Sequence, residues 1–251
     1  MTKKIEFLLI IFILLLQNLQ AMSLKHEKDN NRGIIISPSD GKHTNTLIFM
    51  HGLGDSAEGF FPVFFDMKQS PLTKTTRVRL LTAPATPVTM NMGMTMNSWF
   101  DILDMEWSEN SVNKQDVIKN SKWITSIMDE EIKLLGGDSK KLFIGGFSQG
   151  GCMALNSGLK YKEPIGGIIG LSCFKFPFSM PGHANDATPV MLAHGTDDGM
   201  IPIMASKFSY GLDGFIEKAN VAFHPIQGLS HSIDPQELML FKAFFEKNKG
   251  N

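Results

Sequence analysis

Short apolar runs and amphipathic stretches alternate along most of this chain. "GIIIS" (33–37), "TLIFM" (46–50), "VRLLT" (78–82), "KLFIGG" (141–146), "GGIIGLS" (166–172), "PVMLAHG" (189–195) and "VAFHPI" (221–226) read as strands. Several are apolar throughout, as strands covered on both faces must be. Between them lie helical patterns. The clearest spans 114–135, where Ile124, Ile127, Met128, Ile132 and Leu135 recur at spacings of three and four before "GGDS" stops it. Further helices are expected at 57–69, 150–160, 203–218 and 234–247. Repeated strand–helix alternation predicts an α/β fold: right-handed crossovers, a mainly parallel central sheet and helices on both faces.

The first 21 residues break this pattern. Lys3 and Lys4 precede an apolar run from Ile5 to Leu16, interrupted only by Glu6, and "QNLQA" closes it with a small residue. That is the layout of a secretory signal peptide. The run is shorter than the about 20 apolar residues of a membrane span. It predicts the secretory pathway or the extracellular space; an uncleaved leader would anchor the chain in a membrane, and initiation at Met22 would leave it cytoplasmic. Other marks of export are absent, since the chain has two cysteines and no Asn-x-Ser/Thr sequon. Cys152 and Cys173 lie in apolar segments, where small buried thiols are common. Residues 22–32 are polar and read as a loose arm ahead of a single domain at 33–251.

A chain of 251 residues with 43% apolar residues can bury a large core. Its net charge of −1, without a run of Lys or Arg, excludes nucleic acid as an expected partner.

In an open α/β sheet, ligands bind beyond the carboxyl ends of the strands. Four such ends carry unusual chemistry: "HGLGDS" at 51, "GFSQGG" at 146, "HGTDDGMIP" at 194 and "QGLSHS" at 227. Gly146-Phe147-Ser148-Gln149-Gly150 fits G-x-S-x-G between a strand and a helix, the setting of a nucleophile elbow. Side chains two residues before or after the serine would collide in so tight a turn. A serine hydroxyl attacks only when a base takes its proton, usually a histidine held by a carboxylate, and the expected order is Ser, acid, His. Among the downstream histidines, His224 falls within a strand, His183 in a loop before one, and His194 at a strand end where local bonding suits it. His231 follows the last strand in a polar loop and is the candidate base. Asp197 and Asp198 are both candidates for the acid.

"GLGDSA" also matches G-x-G-x-x-A after a strand, as in dinucleotide-binding turns. That motif requires an acid at the end of the next strand, where this chain has "APATP". An oxyanion hole suits the stretch better: the N–H of Leu53, between Gly52 and Gly54, paired with that of Gln149 after the serine.

"LIFMHGLGDS", "APATPVTMNMGMTMNSWFDI", "GGFSQGGCMAL", "HGTDDGMIP" and the "HS" at 231 together resemble the acyl-protein thioesterase and lysophospholipase family of small α/β-hydrolases, over about residues 45–245. The resemblance implies Ser148 as nucleophile, His231 as base and, by the pattern H-G-x-x-D-x-x-V-P, Asp198 as acid, with Ile201 where valine is usual. It implies a fatty-acylated substrate, either a lipidated protein, a lysophospholipid or an ester, and a monomer or weak homodimer able to associate with a membrane surface. Met90, Met92, Met94, Met96 and Trp99 read as a flexible apolar loop after a strand, and the resemblance places that segment beside an acyl-binding channel; alternating methionines are also the pattern of a half-buried strand. This chemistry needs no cofactor, and the chain has no H-E-x-x-H or paired Cys-x-x-Cys metal site.

Overall fold

The computed structural model describes residues 24–38, 41–65, 70, 72, 74–106, 110–180, 182–211 and 214–250. The leader expected at 1–21 lies outside the described residues. In chain order the strands are β1 (Leu24–Asp29), β2 (Gly33–Pro38), β3 (Asn45–Met50), β4 (Thr76–Leu81), β5 (Ala85–Val88), β6 (Met94–Asn97), β7 (Leu142–Phe147), β8 (Gly167–Leu171), β9 (Val190–Gly195) and β10 (Val221–Ile226). The helices are α1 (Ala57–Phe65), α2 (Lys114–Leu134), α3 (Gln149–Leu159), α4 (Ile203–Gly211) and α5 (Pro235–Asn248).

Eight strands form one sheet in the order β1-β2-β4-β3-β7-β8-β9-β10. From β4 to β10 every pairing is parallel, while β2 and β1 are antiparallel additions at one edge. The expected α/β-hydrolase architecture is therefore present, and all seven strands read from the apolar runs are found. Along β3, Ile48 and Met50 join the core under α2 and α3, whereas Leu47 and Phe49 join the core under α1 and α5. Burial on both faces is why that strand needs no polar alternation.

Three expectations are corrected. Residues 24–29 form an edge strand, paired along its length with β2, in place of part of a loose arm. Its sequence is polar because four of its six side chains face solvent. The helix expected at 203–218 ends at Gly211, and the chain re-enters a short 3-10 turn at Phe215–Glu217. The methionine segment is a two-stranded hairpin, β5 with β6, separate from the main sheet.

α2 is capped by the Asn113 side chain, which accepts from the backbone N–H groups of Gln115 and Asp116. Its buried face includes Asn120 and Glu131 among the expected apolar residues. Asn120 reaches the backbone oxygen of Trp99 at 2.7 Å, tying the helix to the segment that follows the hairpin.

Candidate active site

A tight turn joins β7 to α3. Ser148 sits there with φ 54° and ψ −122°, a conformation that costs a non-glycine residue about 1–3 kcal/mol. Its N–H donates to the oxygen of Leu171 on the neighbouring strand at 2.9 Å, one of the contacts that hold the turn. A Cβ on Gly146 would lie 2.3 Å from the carbonyl carbon of Gly150, and one on Gly150 would lie 2.2 Å from the oxygen of Met50. Both distances are far inside contact range, so only glycine fits at these two positions.

Three strand ends meet at this turn. Ser148 Oγ is 3.0 Å from His231 Nε2, and His231 Nδ1 is 2.7 Å from Asp198 Oδ2. The acceptor nature of the carboxylate puts the imidazole proton on Nδ1, which leaves the Nε2 lone pair facing the serine hydroxyl. Asp198 is itself immobilised, because Oδ1 accepts from the backbone N–H groups of Met200 (2.9 Å) and Ile201 (2.8 Å). Asp197, the other candidate acid, is exposed and accepts from Thr196 Oγ1. His231 also packs on the ring of Phe147, with centroids 4.8 Å apart.

His194 is buried and donates from Nε2 to the oxygen of Ile201 at 2.8 Å, as its strand-end position suggested; the same nitrogen is 3.3 Å from Asp198 Oδ2. Burial pushes its pKa below the usual histidine range. A neutral His194 leaves Asp198 with one dominant imidazole partner, His231. Cys152 and Cys173 are both free and buried, and burial pushes the Cys152 thiol up, away from the reactive thiolate.

Leu53 and Gln149 flank the serine on the cavity side. Gln149 opens α3, so its N–H has no carbonyl one turn earlier to bond. Among the described residues, the Leu53 N–H likewise has no protein acceptor. The Gln149 side chain has a second task that the motif did not reveal. Its Oε1 accepts from Trp99 N (3.0 Å) and Ser98 Oγ (3.2 Å), and its Nε2 donates to the oxygen of Phe100 (2.9 Å). That amide pins the chain after the hairpin onto the turn holding Ser148.

Ser148 and His231 open into a cavity of about 730 Å³ with mainly apolar walls. Phe60 and Val63 of α1 form one side, and Met90 and Met96 of the hairpin another. Phe100, Ile102, Met105 and Val112 extend the wall beyond the hairpin. Phe174, Met200 and Ile233 complete it. Apart from Met90 and Met96, these wall residues are scattered through the chain and share no local pattern, so sequence reading missed them.

Three of the expected acyl-site residues lie elsewhere. Trp99 is fully buried beneath the site, where its Nε1 donates to the oxygen of His51 at 2.8 Å and its ring stacks on Trp123. Met92 occupies the hairpin turn in a left-handed conformation and is 88% exposed. Met94 pairs with Val88 at the tip end of the hairpin and faces solvent, whereas Met96 pairs with Thr86 nearer the base and reaches the cavity.

Among the described residues, no group of three His, Cys, Asp or Glu side chains could hold a metal ion. The site offers a hydroxyl, a base held by a carboxylate, two free N–H donors and an apolar pocket. Those are the parts needed to transfer an acyl group through serine.

Comparison with known proteins shows the family. The pattern of the Phospholipase/Carboxylesterase family matches residues 31–249. Acyl-protein thioesterase 1 of Emericella nidulans is 34% identical over 233 residues, which cover 86% of this chain and 95% of that protein. Acyl-protein thioesterase 1 of Mycosarcoma maydis is 34% identical over 239 residues. Among solved structures, Arabidopsis thaliana SOBER1 aligns with a TM-score of 0.71 at 30% identity, covering 81% of this chain and 98% of that one.

Proposed function

Because the chain belongs to the phospholipase/carboxylesterase family, we propose that it is a serine hydrolase that cleaves fatty-acyl thioesters or esters through an acyl-serine intermediate. The observation that carries this reading is the hydrogen-bonded series Asp198–His231–Ser148 at the mouth of the apolar cavity.

Ser148 Oγ attacks the acyl carbonyl carbon while its proton passes to His231 Nε2. Asp198 holds the ring in the required tautomer and stabilises the imidazolium that forms. The carbonyl oxygen becomes an oxyanion bonded by the N–H groups of Leu53 and Gln149, and one such donor contributes about 3 kcal/mol to the transition state. As the carbon–sulfur or carbon–oxygen bond breaks, the leaving thiol or alcohol takes the proton from His231. Water, deprotonated by the same imidazole, then attacks the acyl-serine and frees the fatty acid. The apolar walls hold the tail and exclude bulk water, and Met90, Met96 and Met105 adapt to its shape because thioether chains are unbranched.

S-acylated protein is the substrate class this reading favours, on the strength of relatives named acyl-protein thioesterase 1. The layout of residues 1–21 supports delivery to the secretory pathway, which N-terminal sequencing of the mature protein tests. The deciding assay presents one acyl chain as a peptide thioester, a lysophospholipid and a simple ester. Faster thioester turnover, lost in Ser148→Ala along with labelling by a fluorophosphonate probe, is expected. An unlabelled wild type would sink the serine-hydrolase reading, and a preference for lysophospholipid would replace the substrate class.

A further inference from the structure

The loop after β3 holds one buried histidine that the reaction does not use. His51 is 1% exposed, and both of its ring nitrogens are engaged. Nε2 lies 3.0 Å from the backbone nitrogen of Ala83, a group that can only donate, so Nε2 carries no proton. The ring proton is therefore on Nδ1, which is 2.5 Å from the carbonyl oxygen of Gly52 and donates to it. The Asp55 N–H reaches the same oxygen from the other side at 3.3 Å. Burial pushes the His51 pKa down, in favour of the neutral ring these contacts demand.

The consequence lies on the far side of that peptide. The Gly52 carbonyl and the Leu53 N–H belong to one trans unit, so they point in opposite directions. A carbonyl held toward His51 aims the Leu53 N–H away from it. Gly52 and Leu53 both line the cavity, and a Cβ placed on Gly52 would lie 3.2 Å from the Cβ of Ser148. Gly52 has no side chain to resist rotation about its ψ, and a rotated peptide would present an oxygen to the developing oxyanion. Other bonds hold the ends of the loop. Trp99 Nε1 binds the oxygen of His51, and Gly54 N binds the oxygen of Asn97. Of the side chains, only that of His51 bonds the Gly52–Leu53 peptide among the described residues.

We propose that His51 is a positioning residue whose Nδ1–H latches the Gly52 carbonyl and so points the Leu53 N–H at the oxyanion, an inference that rests on the serine-hydrolase reading. The two amide replacements of histidine separate its two bonds. Asn places an N–H where Nδ1 stood and has no group at Nε2; Gln reaches the Nε2 position and has no donor at Nδ1.

Steady-state kinetics with a soluble ester, together with the affinity of an acyl trifluoromethyl ketone that forms a tetrahedral adduct on serine, read the oxyanion directly. H51Q is expected to lose kcat by about 10²-fold, the effect of one missing oxyanion donor, with KM within about threefold and the ketone weakened in parallel with kcat. H51N is expected to keep kcat within about fivefold of wild type, since it retains the latch. A wild-type kcat in H51Q, or an equal loss in H51N, overturns the proposal. Nitrogen-15 NMR of the wild-type protein decides independently of how the variants fold: an Nδ1–H ring on His51 supports the latch, and an Nε2–H ring refutes it. If Ser148→Ala stays active, the serine-hydrolase reading itself fails; if Ser148→Ala is dead while H51Q is unimpaired, only the role of His51 fails.

Discussion

Two clusters of charged and polar groups, one joining β1, β4 and α2 and the other beyond the ends of β7, β9 and β10, differ in one respect. Near the β1 edge, Arg79 binds Asp29 (2.5 Å), Glu130 (2.7 Å) and Glu131 (3.3 Å), while Arg77 binds Glu131 (3.1 Å) and Ser37 Oγ (2.6 Å). Thr46 Oγ1 donates to Glu131 as well. Burial works against the Arg79 charge, but the hydrogen bonds it donates to Asp29 and Glu130 outweigh it and its pKa is raised. These fixed charges bond one another, with only Glu130 half exposed, and none of them lines the cavity at Ser148. In the second cluster Asp198 is bonded as fully, yet the series ends on Ser148 and His231 facing a cavity, beside two N–H groups with no protein acceptor among the described residues. Burial of charge is common to both. Polar groups left open toward a space that a ligand can fill distinguish the site from the strut.

Replacing each cluster's key member should separate chemistry from stability. Ser148→Ala should remove about 10⁴- to 10⁶-fold of kcat, and Asp198→Asn about 10⁴-fold, with little change in the urea midpoint. Asp197→Asn, by contrast, should stay within about threefold of wild type, because Asp197 faces solvent and, among the described residues, its carboxylate bonds only Thr196 Oγ1. A larger loss in Asp197→Asn than in Asp198→Asn would reverse the acid assignment.

Arg79→Met tests the other cluster. It leaves Asp29 and Glu131 with fewer partners in a buried setting, which costs about 3–5 kcal/mol when one partner of a buried pair is removed. The urea midpoint should fall accordingly while kcat per folded molecule stays near wild type. A selective loss of kcat with unchanged stability would join the two clusters functionally and dissolve the contrast.

The two clusters also differ in how visible they were in the sequence. Ser148, His231, the Asp197–Asp198 pair and the loop at Leu53 stand just after strands in short motifs, where steric demand for glycine and strand-end placement are local signals; only the family resemblance chose Asp198 within its pair. Arg77, Arg79, Glu130 and Glu131 gave none, since charges on a strand and a helix read as solvent faces until the fold brings β4, α2 and Asp29 of β1 together. β1 itself was missed because an edge strand exposed to water can be polar throughout and is stabilised by backbone pairing. Trp99 illustrates the limit for apolar residues. Its neighbours in sequence border the cavity, but the indole is turned inward to bond His51, a choice made by contacts 48 residues away. The cavity walls at Phe60, Phe174, Met200 and Ile233 converge only through the tertiary fold.

A third buried acid tests the contrast from another side. Glu237, in the first turn of α5, is fully buried, and among the described residues neither carboxyl oxygen has a hydrogen-bond partner. It is neither closed by cations, like Glu131, nor part of the cavity wall. Burial, with Asp234 adding to it, pushes its pKa up to about 8, so the acid is neutral below that pH. The unfolded chain ionises near the ordinary 4.5. Stability from this group is therefore fully present below about pH 4.5, declines as the unfolded state releases its proton, and is lost by about pH 8. Glu237→Gln keeps the shape and cannot ionise, so its gain over wild type should grow from near zero at pH 4.5 to at most a few kcal/mol at pH 8.5. Urea melts at the two pH values measure that difference. No gain, or a loss, at pH 8.5 would mean that Glu237 is charged and partnered in solution, and its burial would then have to be explained as Glu131 is, by a closing cation.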